Sequence, residues 1–220
     1  MLKCNSKRNS CKDVFNAFLV KNANYDGDLE IPKLKSVDFV PNKLISFSKS
    51  LSSKDFNQWV HFYEDDFLFE RIWNNPQKYL PILKKFNGVI SPDFSLYRDM
   101  PFVMQQWNTY RNRAIAHYLQ ENGVNVIPNI RWGDERTYKF CCLGVEKDSI
   151  IAIGSHGTIK NLIDRDYFVK GLDYIVEQLN PKTIIVYGTA PNKIFEKFIQ
   201  KGINIVQFDS ECLLSHKGGA

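Results

Sequence analysis

A chain of 220 residues with 44% hydrophobic and 24% charged content is long enough to bury a substantial core as one soluble domain. Its net charge of +5 permits a polyanionic partner without demanding one, and no long basic run supplies an arm for nucleic acid. No apolar run is long enough to span a bilayer and no secretory leader is visible, which predicts a cytoplasmic protein without a membrane partner; five cysteines, an odd number, argue against a disulfide framework.

In chain order, residues 1–41 read as an N-terminal extension packed on the main body. A short helix is expected around Lys12–Lys21, then an irregular stretch punctuated by Asp26-Gly27, Pro32 and Pro41. A single α/β domain is expected over 42–214. Lys43–Ser48 reads as a short strand, and Ser52 or Ser53 as a helix cap. Trp59–Tyr63 reads as a strand leaving through Glu64-Asp65-Asp66, followed by a helix interrupted at Pro76 and resuming to Phe86. Next come strand Val89–Ile90, a long helix from Phe102 to Glu121, strand Val124–Pro128 and a short helix between Asp134 and Cys142. Strand Ser149–Ile153 leads to a helix over Asp166–Leu179, strand Thr183–Tyr187 to a helix over Asn192–Gln200, and Ile203–Phe208 is the last strand. Residues 215–220 are expected to form a disordered tail.

Strand and helix thus alternate about six times, and the later strands are almost wholly apolar, as strands buried on both faces should be. The fold class is α/β: a mostly parallel sheet of about six strands with crossover helices. An open three-layer sheet and a small or incomplete β/α barrel both satisfy the pattern.

The long helix holds an anomaly. At about 100° per residue, Val103, Trp107, Tyr110, Ala114 and Tyr118 share a stripe flanked by Met104, Ile115 and Leu119, which predicts the core-facing side. Arg111 falls within that stripe. A guanidinium aimed into a core requires a carboxylate or a ligand anion, and Asp93 and Asp99 just before the helix are the expected partners. A structural tie and an anion-binding role both fit.

Parallel sheets place ligands beyond the carboxyl ends of their strands. Those ends supply the candidate ligand-binding residues Asp93, Ser95, Arg98, Asp99, Arg111, Asn129, Arg131, Trp132, Ser155, Thr158, Tyr187 and Asp209. The bland alternative is that such residues cap helices and face water. Gly154-Ser155-His156-Gly157 and Gly188-Thr189-Ala190-Pro191 are turns that could cradle a phosphate, or plain tight turns. Neither a P-loop nor a dinucleotide fingerprint occurs. Cys4 with Cys11, Cys141 with Cys142, and the four histidines show no zinc spacing, so no metal is expected and all five thiols are expected free. No residue is assigned a catalytic role, and no pattern points to a particular cofactor or oligomeric state.

The segments SPDFSLYRDMP, YRNR, GVNVIPNIRWGDE and FCCLGVEKDSIIAIGSHG, with HFYEDDFLFERIWNNPQKYLPILKKFNGVISPDFS upstream, resemble an uncharacterised family of bacteria, phages and mobile elements. It is catalogued as domain-of-unknown-function family 4417, and the resemblance runs from about Asn42 to Asp209. It implies a cytoplasmic bacterial or phage protein and no particular activity.

Three functions fit these observations. The first is a domain, enzymatic or sequestering, that binds a nucleotide-like or phosphorylated small molecule: Arg98, Arg111 and Arg131 suit phosphates, and Tyr97 and Trp132 suit a base. The second is a nucleic-acid-binding accessory protein of phage or element replication, which calls for a continuous basic stripe with exposed aromatics. The third is a protein-interaction module.

Overall fold

The computed structural model describes residues 13–217, the side chains of residues 216 and 217 excepted. A short antiparallel hairpin, β1 (Tyr25–Asp26) and β2 (Ile31–Pro32), comes first. Seven parallel strands then follow one another in chain order. β3 (Leu44–Ser46), β4 (Trp59–His61), β5 (Gly88–Ile90) and β6 (Val126–Ile127) make a four-stranded sheet, and β7 (Ile150–Gly154), β8 (Thr183–Tyr187) and β9 (Asn204–Phe208) a three-stranded one. A single parallel bridge, Asn129 to Ala152, joins the two, with Ile130 N donating to Ala152 O at 2.8 Å. The sheet of about six strands expected from the sequence is therefore seven strands in two sheets.

A helix follows each strand. α1 (Phe47–Ser50) follows β3, α2 (Asp66–Asn74) and α3 (Pro76–Leu83) follow β4, and α4 (Phe102–Glu121) follows β5. α5 (Tyr138–Cys141), α6 (Leu162–Leu179), α7 (Asn192–Ile199) and α8 (Glu211–Lys217) follow β6 to β9 in turn. Local chemistry sets these boundaries. Asn75 accepts from Lys78 N and Pro76 opens α3 where no N–H is needed; Asn161 caps α6 by accepting from Asp164 N. Asn180, at φ 45°, ends α6 in the left-handed conformation.

The sheet is rolled up. β4 and β8 are four positions apart, which in a flat sheet is ~19 Å. Yet the Tyr63 and Tyr187 rings, at the ends of those strands, stack at 4.6 Å, and His61 lies 4.5 Å from Tyr187. One apolar cluster takes side chains from all seven strands: Leu44, Trp59, Ile90, Ile127, Ile150 with Ala152, Ile185 and Phe208. Such a cluster exists only inside a curled sheet. Of the two sequence-based alternatives, the incomplete β/α barrel is the one adopted. No ladder joins β9 to β3 among the described residues; Lys49 and Glu211, ion-paired at 2.8 Å, cross that gap. Two further clusters fill the space between strands and helices, one under α1–α4 and one under α6 and α7. Gly88 has a steric reason to lack a side chain, since an ideal Cβ there would sit 2.3 Å from the Trp59 ring.

The N-terminal segment packs on α4 through Leu19, Val20 and Leu34, and Gln120 exchanges hydrogen bonds with both backbone groups of Lys35. Several local expectations change. The helix expected around Lys12–Lys21 is a 3-10 turn at Ala17–Val20, and its beginning lies outside the described residues. Among the described residues no helix is capped by Ser52 or Ser53; the short α1 comes before them. Residues 215–217 belong to α8, and 218–220 lie outside the described residues.

The stripe on α4 is the main correction. Val103, Met104 and Trp107 are 69%, 49% and 41% exposed, whereas Gln105, Asn108, Asn112 and Arg113 are buried. The first half of α4 packs on irregular loops whose carbonyls need donors. Gln105 Nε2 donates to Met100 O, Asn108 Nδ2 to Ser95 O and Asn112 Nδ2 to Pro92 O. Satisfying those buried groups outweighs exposing three apolar side chains. Only the second half, with Ala114, Ile115 and Leu119, buries its apolar face as expected.

Candidate functional site

The carboxyl ends of the strands open on a mouth with two adjoining cavities that share Tyr97, Arg131, Gly154 and His156. Strand alternation builds the floor. Trp59, His61 and Tyr63 lie on the inward face of the β4 segment, and Ile127, Asn129 and Arg131 on that of the β6 segment, so the last inward residues are polar and meet the solvent-filled end.

The first cavity, about 570 Å³, is walled by Trp132, Tyr167 and Phe168 and by two guanidinium groups. Arg98 pairs with Asp164 at 2.6 Å and lies 4.2 Å from the Tyr167 ring centre. Arg131 pairs with Asp93 at 2.9 Å. Trp132 donates its Nε1–H to Tyr167 O and fits because residue 171 is glycine; an ideal Cβ there would lie 2.1 Å from the indole nitrogen.

The second cavity, about 440 Å³, is lined by carboxylates: Glu64, Asp65, Asp66, Asp93 and Glu211. Asp93 is 9% exposed and accepts from Asn129 Nδ2 at 2.7 Å as well as from Arg131. Burial raises its carboxyl above the ordinary value, against the lowering effect of Arg131 and Asn129. Asn129 is fixed in turn, because its Oδ1 accepts from the Tyr63 hydroxyl at 2.9 Å and its N–H donates to Ser91 Oγ. Burial, and then the Asp93 charge, hold the Tyr63 phenol well above its usual range. Asp66 accepts from both the backbone N–H and the hydroxyl of Ser95. Among the described residues, no group of three or more His, Cys, Asp or Glu side chains is placed to hold a metal ion.

The structure places the candidates from the sequence differently. Asp93, Ser95, Arg131 and Tyr187 line the second cavity, with Asn129 beneath them; Arg98, Asp99, Arg131, Trp132 and Thr158 line the first. Ser155 and Thr158 use their hydroxyls on the carbonyls of Thr189 and Ser155, as turn formers do. Asp209 accepts from Gln207 outside both linings. Arg111 is the correction: its partner is neither Asp93 nor Asp99 but Glu70 of α2, at 2.5 Å, with a second bond to Asn108 Oδ1 and the Phe94 ring 4.0 Å below. Glu70 lies on the α2 face turned toward α4, a neighbour that loop proximity in sequence could not indicate.

Tyr63 and Arg113 are site residues not among the candidates from the sequence. Tyr63 stands four residues after the inward Trp59, so period-two alternation alone puts it at the mouth. Arg113 is 1% exposed and donates to Leu143 O, Cys141 O, Asn129 O and Asn112 Oδ1. Burial draws its guanidinium down to about 10. Its three carbonyl acceptors lie 16 to 30 residues along the chain, so no sequence signal marks it.

Taken together, these features describe an incomplete β/α barrel with a ligand-sized polar mouth, cationic and aromatic on one side, acidic on the other. Residues 23–209 match a family model described as a domain of unknown function, and the chain belongs to that family. It is similar to the Gene 1 protein of Mycobacterium phage L5, 34% identical over 163 residues that make up 72% of this chain and 71% of that protein. It is also 32% identical over 162 residues to the Gene 1 protein of Mycobacterium phage D29, covering 72% of this chain and 60% of the phage protein. The family is thus phage-associated. No solved structure matches. No helix among the described residues is long and apolar enough to cross a membrane.

Proposed function

We propose that the mouth of the barrel binds a small phosphorylated, nucleotide-like molecule, with its phosphate toward Arg98 and Arg131 and its planar part among Tyr97, Trp132 and Tyr167. The observation that carries this reading is the first cavity itself, where two guanidinium groups and an aromatic wall enclose about 570 Å³, the volume of a typical small-molecule site. Each arginine has five N–H donors and commits one terminal nitrogen to its carboxylate, so a phosphate adds to these pairs rather than breaking them. The carboxylates of the second cavity suit the hydroxyls of a ribose or the amino group of a base. They also disfavour a polyanionic strand running across the mouth, which sets the nucleic-acid reading second. Such a ligand belongs to the cytoplasm of the cell that hosts the phage or mobile element.

Isothermal titration with nucleoside mono- and diphosphates, sugar phosphates and a single-stranded oligonucleotide tests the reading. Saturable binding of a mononucleotide is expected, weakened at least about tenfold in both Arg98→Ala and Arg131→Ala, each loss being that of one charge-assisted contact. Absence of binding across the panel, with no small molecule found by mass spectrometry of the purified protein, would reject it. Binding of the oligonucleotide alone, falling steeply with salt, would favour the second reading.

A further inference from the structure

Cys141 and Cys142 close α5 and take no part in the mouth. Cys141 is 1% exposed and Cys142 half-buried, and their sulfurs stand 3.8 Å apart, in contact but unbonded. The backbone on either side is held by one cation: Arg113 donates to Cys141 O at 2.9 Å and to Leu143 O at 3.1 Å. A thiolate formed here therefore lies in the field of a buried guanidinium. The hydrogen bond with Cys141, helped by Arg113 and opposed by burial, holds the Cys142 thiol below its ordinary value, while the same contact and burial push Cys141 up.

We propose that Cys141 and Cys142 form a reversible vicinal dithiol, a modification site that undergoes thiol–disulfide exchange with small-molecule disulfides. The inference is independent of the ligand proposed for the mouth. Cys142, the more accessible of the two, attacks one sulfur of the small disulfide as a thiolate, forms a mixed disulfide and expels one small thiolate. Cys141 gives its proton to solvent and attacks the Cys142 sulfur, closing the intrachain bond and expelling the second. Two protein thiols become one disulfide, and the two electrons and two protons pass to two small thiols. Reversibility follows from chain geometry. Adjacent Cα atoms are about 3.8 Å apart, below the roughly 4.4–6.8 Å that unstrained disulfides span. Ring closure also turns the Cys141–Cys142 peptide, whose own carbonyl, Cys141 O, Arg113 holds. A strained bond of this kind is returned to dithiol by an excess of reduced thiol.

The test equilibrates the folded full chain with glutathione disulfide and glutathione at graded ratios. Samples are quenched with an alkylating agent and digested with trypsin, since the peptide Phe140–Lys147 holds these two cysteines and no other. The wild-type peptide is expected to lose two hydrogens and both alkylation sites at high disulfide ratio, and to regain them on adding glutathione. Cys141→Ser, or Cys141→Ala if the serine variant loses its folded circular dichroism, should stop at a glutathione adduct on Cys142. Cys142→Ser should leave Cys141 unmodified. A wild-type peptide that keeps two alkylatable thiols under excess glutathione disulfide, or stops at the Cys142 adduct, overturns the proposal. So does equal adduct formation on Cys141 and Cys142 in the two single variants.

Discussion

Two arginines two positions apart on α4 meet opposite electrostatic fates. Arg111 has a carboxylate, but Glu70 is 37% exposed and can rehydrate when its partner is removed. Arg113 has no carboxylate; its acceptors are three carbonyls and an amide, held in a fully buried pocket. Removing Arg111 should therefore cost about 1–3 kcal/mol, and removing Arg113 more than about 3, because buried acceptors without donors cannot turn to water. Urea unfolding of Arg111→Ala and Arg113→Met will rank them, and the reverse order would show that the ion pair, not the carbonyl clamp, anchors the helix. Arg113→Lys should be nearly as damaging, since one ammonium cannot serve four acceptors in a plane. His61 provides a pH signal. Burial lowers its imidazole from 6.5 to about 3, so the unfolded chain binds the proton first. The associated stability is fully present above pH 6.5 and is lost as pH falls from there toward 3. In this window unfolding free energy should decline by up to about 1.4 kcal/mol per pH unit, and His61→Asn should remove that slope. Equal slopes in wild type and variant would mean that the imidazole is solvated.

At the scale of elements, α4 and the β4–β5 pair show how packing overrides pattern. The apolar periodicity of α4 is genuine, but its first half faces loops with unpaired carbonyls, and the amide side chains of Gln105, Asn108 and Asn112 turn inward to meet them. Hydrophobic spacing could not reveal this, because the demand lies on the partner surface. The strands were readable for the opposite reason: each is a short apolar run between turn residues, and its inward or outward faces follow from alternation. Gly88 is the element-level dependency. Trp59 fills the space its Cβ would occupy, so Gly88→Ala must displace an indole that is only 3% exposed inside the barrel. The expected loss is about 1–3 kcal/mol, typical of overpacking, with a shift in tryptophan fluorescence. A neutral substitution would mean that the interior is loosely packed around Trp59.

For the whole molecule the question is what keeps the incomplete seven-stranded barrel curled when, among the described residues, no ladder joins β9 to β3. The Lys49–Glu211 pair crosses that gap, yet its side chains are 63% and 45% exposed, and such pairs contribute at most about 1 kcal/mol. The interior cluster and the stacked Tyr63 and Tyr187 rings bury far more surface. Lys49→Ala is therefore expected to change stability by less than about 1 kcal/mol in urea unfolding; a loss of several would show that the ion pair closes the barrel.

The amino-acid sequence by itself determined the alternation of strand and helix, the parallel sheet, and the end of that sheet where polar residues gather. Those properties are written in neighbouring residues: apolar runs, cap side chains and turn formers. Tertiary structure alone decided that the sheet curls until Tyr63 meets Tyr187, and that Arg111 pairs across to Glu70, 41 residues away, rather than to the nearby Asp93 or Asp99. It also decided that Arg113 is clamped by carbonyls 16 to 30 residues along the chain. Curvature accumulates over many strands, and a side chain's partner depends on the surface brought against it; neither is encoded within the span of one element.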